Sequence, residues 1–433
     1  MKEPLKLAIA GLGTVGGGVV KVLTEEAKRI EALCGRKIEI VAVSARHRQH
    51  DRGFDIDAFR WYDDPVAMAA DPDSDVFVEL IGGSDGAAKL AVEQALASGK
   101  HVVTANKALI AHHGTTLARM AEDNQVALQF EAAVAGGVPI IKALREGLVA
   151  NGIERVSGIL NGTCNYILTV METSGREYED VLADAQKLGY AEADPSFDVG
   201  GTDAAHKLTI LASLAFGTLP DFDQVYVEGL ETVTPLDIRL ADDFGYKVRL
   251  LGIAQRDGKR MELRVHPTLV GKSSSLAAVT GVFNAVEVVG SHVGPVMLEG
   301  RGAGEGPTAS AVVADIVDVA RGNIAQPFGL PASMLEEASY KPIKDHTGAY
   351  YLRVHAVDRA GSMAEITRAL AEAEVSIERI VQRKDPIPEE DNRLPVVFIT
   401  HDTDEITMQR ALALLAKHKD VVDEPLLIRI EQE

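Results

Sequence analysis

The sequence predicts an α/β chain built from a doubly wound parallel sheet, a central α+β unit and a ferredoxin-like tail. Three observations predict it. Short apolar runs alternate with helix-length segments up to Val134, a glycine turn follows the first of those runs, and the last third reads strand–helix–strand–strand–helix–strand. At roughly 150 residues per domain, the length of 433 residues agrees with about three units. Hydrophobic residues make up 46% and charged residues 25%, a mix that excludes a disordered chain.

The charge balance excludes partners. There are 44 basic and 64 acidic residues, a net charge of −20, which repels nucleic acid and anionic membrane surfaces. No apolar run reaches the 18 or so residues that span a bilayer, and the N-terminus enters a strand without a signal peptide, so a cytoplasmic protein is expected. Two cysteines, Cys34 and Cys164, make neither a disulfide framework nor a zinc motif.

Five strands are expected in the first third, starting at Leu5, Ile38, Val76, His101 and Val126. Their continuous apolar character suits a parallel sheet covered on both faces. Helices are expected over Val15–Leu33, Asp64–Ala70, Ala87–Ser98 and Thr115–Asn124. The first turn carries Gly11-x-Gly13-x-x-Gly16 between a strand and a helix. In that context Gly11 permits the tight turn, Gly13 lets a pyrophosphate approach, Gly16 lets helix and strand pack, and the N–H groups of the first turn, including Thr14 and Val15, face the phosphates. The second strand ends Ser44-Ala45-Arg46-His47-Arg48, with no acidic residue for a ribose 2′-hydroxyl. Guanidinium groups there suit a 2′-phosphate, so NADP is favoured with NAD as the alternative; a solvated surface loop would explain Arg46 and Arg48 equally simply. Lys107, at the carboxyl end of the strand from His101, points toward the ligand crevice of such sheets, although a surface lysine is usually just solvated.

The middle third holds the densest set of ionisable groups. Glu192, Asp194 and Asp198 lie in a Pro- and Gly-rich loop, after which a helix capped by Thr202 is expected. Asp203 and Lys207 sit i, i+4 on one face of it, either as a site or as an ordinary surface pair. Burial and a neighbouring Lys107 are expected to lower the Lys207 pKa toward that of a general acid–base. Cys164 is the rival nucleophile, but no partner histidine is identifiable and a packed small residue is the simpler reading. His206 reads as packing beside the lysine face. Gly302, Gly304 and Gly306 precede a helix and permit close backbone approach to a ligand. The small residues from Phe130 to Pro139, with Glu131 and nearby carbonyls, suit a hard monovalent cation without establishing one.

Residues 323–348 read as a Pro-containing linker. The tail then reads as a separate module without catalytic groups, a small-molecule sensor or an oligomerisation piece. The expected limits are therefore 1–135, 136–322 and 349–433.

Six motifs, in order along nearly the whole chain, resemble the homoserine dehydrogenase family: GLGTVGGGVV, TANKALIA, FEAAVAGGVPII, GILNGTCNYIL, GYAEADPSFDVGGTDAAHK and GRGAGEGPTASAVVADI. The tail, with DRAGSMAEITRAL, resembles an ACT domain. The resemblance implies NAD(P)-dependent interconversion of L-homoserine and L-aspartate 4-semialdehyde in threonine, methionine and isoleucine biosynthesis. It implies Lys207 as proton donor and acceptor, Lys107 as the second lysine facing substrate and nicotinamide, and Glu192 and Asp203 holding substrate with Asp198 in support. Gly189 and Gly304 would contact the cofactor. Glu131, with the carbonyls of Val134, Gly136 and Val138, would match a structural sodium site. In the tail Asp358, Gly361 and Ser362 would take an effector, for which L-threonine is the expectation, and a homodimer or homotetramer is expected. Another Rossmann-type semialdehyde dehydrogenase, or a non-catalytic amino-acid sensor, are the competing readings.

Overall fold

The first sheet of the computed structural model, which describes residues 3–382 and 393–431, runs in the order β3-β2-β1-β4-β5-β6. Its strands are β1 (Leu5–Ala10), β2 (Ile38–Ser44), β3 (Arg60–Tyr62), β4 (Val76–Glu79), β5 (His101–Thr104) and β6 (Leu128–Gln129). Every pairing is parallel. Leu7 to Ala10 and Val76 to Val78 are fully buried, as strands covered on both faces must be. The order reverses between β1 and β4, which opens a crevice at their carboxyl ends.

The structure corrects several expected elements. The long first helix is two, Thr14–Glu25 and Ala27–Cys34, broken at Glu26. The helix expected from Thr115 starts at Lys107, because Asn106 caps it by accepting the Leu109 N–H. Gly114, which looks like a break, lies inside that helix: a Cβ there would sit 2.7 Å from the Phe328 ring. The strand expected from Val126 shrinks to Leu128–Gln129 before the turn Glu131–Ala133. The short strand β3 escapes a pattern search altogether. Gly201, not Thr202, caps the helix Thr202–Phe216.

The second sheet holds β7 (Ile153–Ile159), β8 (Tyr226–Val227), β9 (Tyr246–Asp257), β10 (Arg260–Gly271), β11 (Phe283–Gly290), β12 (Gly294–Arg301) and β13 (Ser339–Tyr340). It continues with β14 (Thr347–Val357), β15 (Ile377–Gln382), β16 (Arg393–Thr400) and β18 (Leu426–Glu431), while β17 (Thr403–Asp404) pairs with β14. The order is β12-β11-β7-β9-β10-β18-β14-β16-β15, with β8 and β13 also on β10. The tail has the expected ferredoxin-like order, but it is not set apart. Its last strand pairs with β10 through Thr268↔Arg429, Leu269↔Ile430 and Val270↔Glu431. The tail sequence predicts its second strand over 375–383, and Arg383 lies outside the described residues.

Alternation along the tail strands serves two cores. Tyr350, Leu352, Val354 and Phe398 pack with the tail helices Ser362–Glu372 and Glu405–Leu415. Tyr351, Val397, Ile399, Ile428 and Ile430 face the other way and join the core around Leu208, Leu211 and Val265. Residues 323–348 also lie on this body: β13 pairs with β10, and the Leu219 N–H donates to the Glu336 carbonyl.

Candidate active site

The glycine turn divides its labour as its spacing implies. Gly11 has φ +96°, and a Cβ there would sit 2.3 Å from the Leu80 carbonyl oxygen. A Cβ on Gly16 would sit 2.0 Å from the Gly11 carbonyl oxygen, so turn and helix touch. Gly13 has nothing within 4 Å of its missing side chain, which leaves its backbone open to a ligand. The helix starts at Thr14 without a side-chain cap, so its first N–H groups are available to an anion. These are the features a dinucleotide pyrophosphate needs.

Two clefts flank this turn. One, of about 710 Å³, is lined by Gly13, Thr14, Lys21 and Arg52. Arg52, missed by sequence reasoning, donates to the carbonyls of Leu12, His47 and His50, tying the β2 corner to the glycine turn. Arg46 is exposed and makes no ion pair or hydrogen bond among the described residues. Arg48 pairs with Asp57 at 2.9 Å and lies 5.8 Å over the Trp61 ring.

The other cleft, of about 590 Å³, runs from Val15 past Lys107 to Lys207. Gly189, Glu192, Asp198, Asp203 and Gly304 line it as well. Lys207 Nζ donates to Asp203 Oδ2 at 2.7 Å and to the Leu160 carbonyl at 2.7 Å. Lys107 Nζ meets the other oxygen, Asp203 Oδ1, at 2.9 Å. The Asn161 amide donates to Asp203 and to Asp198, each at 2.8 Å. Asp203 is 3% and Lys207 8% exposed, so the pair sits away from bulk water.

Electrostatics follow from that placement. Burial pushes the Asp203 carboxyl up, but the two ammonium groups outweigh it and hold it well below the usual carboxylate range. Burial works against the Lys107 ammonium, yet Asp203 keeps its pKa above the ordinary value. Asp203 lies between the two lysines, one oxygen to each. Asp198 is raised by burial and by the Asp203 charge. Glu192 stands exposed at the rim. The centre thus places two lysine side chains, each bonded to Asp203, beside open space, an arrangement able to give a proton to an oxygen held there and take it back.

Asn161, Asn284 and Arg301 also line this cleft without having been expected as site residues, although Asn161 and Arg301 lie inside two of the motifs. Asn161 left a signal, since an Asn before Gly-Thr-Cys caps the helix Gly162–Ser174 through the Cys164 N–H. Asn284 left none: it sits in β11 and reaches the same Leu160 carbonyl that Lys207 uses. Cys164 is fully buried, its thiol pushed well up by burial and donating to the Asp198 carbonyl, which is packing and not nucleophile geometry. His206 stacks on Phe222 at 4.3 Å and on Phe197 at 5.7 Å, and burial pushes its pKa down to about 4.

A second cluster lies where the two sheets meet. Glu131 is buried, accepts the N–H groups of Ile141 and Lys142 at 2.9 Å each, and is pushed up to about 7 by burial and by Asp315. Ala135 and Gly136 follow in the left-handed region, at φ +53° and +46°. Among the described residues the buried carbonyls of Val134 and Gly136 accept no hydrogen bond, while that of Val138 accepts the Ile140 N–H. Buried carbonyls left without donors fit a hard cation. In the tail, Gly361 caps the helix from Ser362, the buried Ser362 hydroxyl has no partner among the described residues, and Asp358 is exposed.

A dinucleotide turn that opens onto a buried lysine–carboxylate–lysine centre defines a nicotinamide-dependent oxidoreductase. Residues 11–131 match the family description "Homoserine dehydrogenase, NAD binding domain", residues 139–317 match "Homoserine dehydrogenase", and residues 350–420 match "ACT domain". The chain is 46% identical to the homoserine dehydrogenase of Pseudomonas aeruginosa and 44% identical to that of Neisseria gonorrhoeae, covering 99% of each chain in both cases. It is similar to the crystal structure of a homoserine dehydrogenase from Thiobacillus denitrificans, with 44% identity, a TM-score of 0.91 and coverage of 99% of this chain and 98% of that one. The chain belongs to the homoserine dehydrogenase family, as its motifs imply.

Proposed function

We propose that the 590 Å³ cleft interconverts L-homoserine and L-aspartate 4-semialdehyde, with Lys207 moving the proton of the substrate oxygen. The observation that carries this is Asp203 held between Lys107 and Lys207 in the cleft that Val15 of the dinucleotide helix also lines. Bound nicotinamide supplies or accepts the hydride. The chain's own residues align the substrate: Glu192 and Asp203 receive its ammonium, Asp198 supports them through Asn161, and Lys107 orients the carbonyl oxygen between itself and Lys207. In reduction Lys207 gives its proton to that oxygen; in oxidation it takes it back, Asp203 balancing the charge in each direction. An acylating route through Cys164 lacks support, because its thiol is buried and far from ionising.

NADP is the favoured cofactor, supported by the free guanidinium of Arg46 at the end of β2 and by the absence of a carboxylate there. Lys107, Gly189 and Gly304 join the glycine turn in holding it. A monovalent cation such as sodium is proposed at Glu131, Val134, Gly136 and Val138, on the strength of the two undonated carbonyls. Domain limits of 1–135, 136–322 and 349–433, joined by 323–348, accord with the matched family segments. The tail would sense an amino acid such as L-threonine at Asp358, Gly361 and Ser362, where a buried hydroxyl waits for a partner. Association into a homodimer or homotetramer is supported by the sheet edges at β12 and β15. No helix among the described residues is long and apolar enough to cross a membrane, which accords with a cytoplasmic place.

Following NADPH absorbance with L-aspartate 4-semialdehyde tests the assignment. Lys207→Ala is expected to lower kcat at least about 10²-fold while NADPH still binds, and Cys164→Ala to be tolerated. Near-parental turnover in Lys207→Ala overturns the assignment.

A further inference from the structure

The last strand of the chain reaches the catalytic helix by a short polar route. Arg429 of β18 is 1% exposed. It makes a paired contact with Glu405, Nε to Oε2 at 3.0 Å and Nη2 to Oε1 at 2.8 Å. Its remaining nitrogen, Nη1, donates to Glu228 Oε2 at 2.8 Å, and the guanidinium lies 5.1 Å over the Tyr226 ring. Tyr226 is itself hydrogen-bonded to Glu228. One buried cation thus joins the first residue of a tail helix to strand β8.

Strand β8 and the residues after it form the floor under the catalytic loop. The Glu228 N–H donates to the Val265 carbonyl at 2.8 Å, and the Leu230 N–H donates to the Val199 carbonyl at 3.1 Å. Val227 packs so closely on Gly201 that a Cβ there would lie 2.9 Å from its methyl group. Gly201 caps the helix that carries Asp203 and Lys207, and its N–H donates to the Asp198 carbonyl at 3.0 Å. Residues 227–230 therefore run against 198–201, and a displacement of Glu228 moves Asp198 and Asp203 with it. Close packing passes such shifts on without damping them.

We infer that Arg429 and Glu228 are positioning residues for the reaction: the C-terminal domain, through this pair, sets where Asp198, Asp203 and Lys207 stand in the cleft. Neither touches substrate or cofactor; Glu228 does not line the cleft among the described residues. Another ion pair of the same strand offers the contrast. Glu431 of β18 meets Arg264 at 3.0 Å and Arg155 at 2.8 Å; Arg264 meets β8 only as the register partner of Tyr226, and neither side-chain pair includes Glu228. The inference rests on the roles proposed for Asp203 and Lys207.

The experiment uses the full chain and three variants: Glu228→Gln, Arg429→Lys and the control Glu431→Gln. Rates of L-aspartate 4-semialdehyde reduction are measured with NADPH and with NADPH deuterated at the transferred position. Glu228→Gln is expected to lower kcat about tenfold or more, with KM for NADPH unchanged and an increased deuterium isotope effect on kcat, because misplacing the proton donor makes chemistry more limiting. Arg429→Lys should fall between it and the parent, and Glu431→Gln should keep the parental kcat and isotope effect. Parental values in Glu228→Gln overturn the inference, as does an equal loss in Glu431→Gln, which would mark a merely structural role. If Glu228→Gln does not fold, Arg429→Lys decides by the same criteria. Lys207→Ala is run alongside: an active Lys207→Ala sinks the underlying reading, whereas an inactive one beside a parental Glu228→Gln sinks this inference alone.

Discussion

The two sheets of this protein meet their edges in opposite ways. The cofactor sheet is parallel throughout and made from consecutive stretches of the first third of the chain, ending at β3 and β6. The second sheet is mixed, and the edge that β10 would present is taken by β18, from the last residues described. A unit assembled from neighbouring segments keeps its lesions local. A sheet completed from the far end of the chain does not, since Thr268, Arg264 and the floor under the catalytic helix all depend on a strand synthesised some 160 residues later (429 − 268 = 161). The contrast teaches that the regulatory-type domain is also a structural part of the catalytic one.

Ending the chain at residue 425 is the strongest way to break that contrast. It removes Ile428, Arg429 and Ile430, all nearly fully buried, and takes the Arg429 guanidinium from Glu405 and Glu228 and the Glu431 carboxylate from Arg264. The expected cost, above about 5 kcal/mol, is comparable to the stability of a whole domain, so soluble folded protein should be lost. A shortened chain that melts near the parent, by circular dichroism, would show the two units to be independent after all. Gly16→Ala tests the other side. Its Cβ would collide with the Gly11 carbonyl, costing about 1–3 kcal/mol and weakening cofactor affinity at least about tenfold, while the tail and the second sheet stay intact. Calorimetry with NADPH and a thermal melt separate these effects.

A smaller effect comes from His206, packed between rings on the catalytic helix. Its folded pKa lies near 4, below the ordinary 6.5, so the unfolded chain binds the extra proton first. Stability is therefore fully present above about 6.5 and falls as pH drops toward 4, by up to about 3 kcal/mol. Urea midpoints measured across that window should slope in the parent and lose this component in His206→Gln. Smallest is Arg46→Ala, which removes an exposed charge. It should reduce the NADPH preference over NADH by about threefold to tenfold in kcat/KM and leave the melting temperature unchanged.

Legibility followed the range of the interactions. The glycine turn was readable because the steric demands at Gly16 are local, its Cβ position meeting Gly11 and Leu12. Asp203 and Lys207 were readable as a pair because helical spacing puts them on one face, and their geometry matches. That Lys107 faces the crevice followed from its place at the carboxyl end of a strand; that it meets the second oxygen of Asp203 left no signal in the spacing. Asn284 and Arg52 stayed hidden, since an Asn in a strand and an Arg in a loop carry no periodic signal. The helix starting at Lys107 was misjudged because Gly114 looks like a stop until Phe328 is seen packed against it.

What the amino-acid sequence determined alone is what local sterics and periodicity control: the order of strands and helices, the cofactor turn, the carboxylate–lysine helix and the ferredoxin-like order of the tail. Tertiary structure alone decided that Asp203 lies between two lysines rather than beside one, that Gly201 rests on Val227, and that β18 closes the edge of β10. The physical reason is that hydrogen-bonded edges and buried ion pairs depend on groups far apart in the chain, whose meeting is set by the packing of whole units and leaves no pattern in either segment.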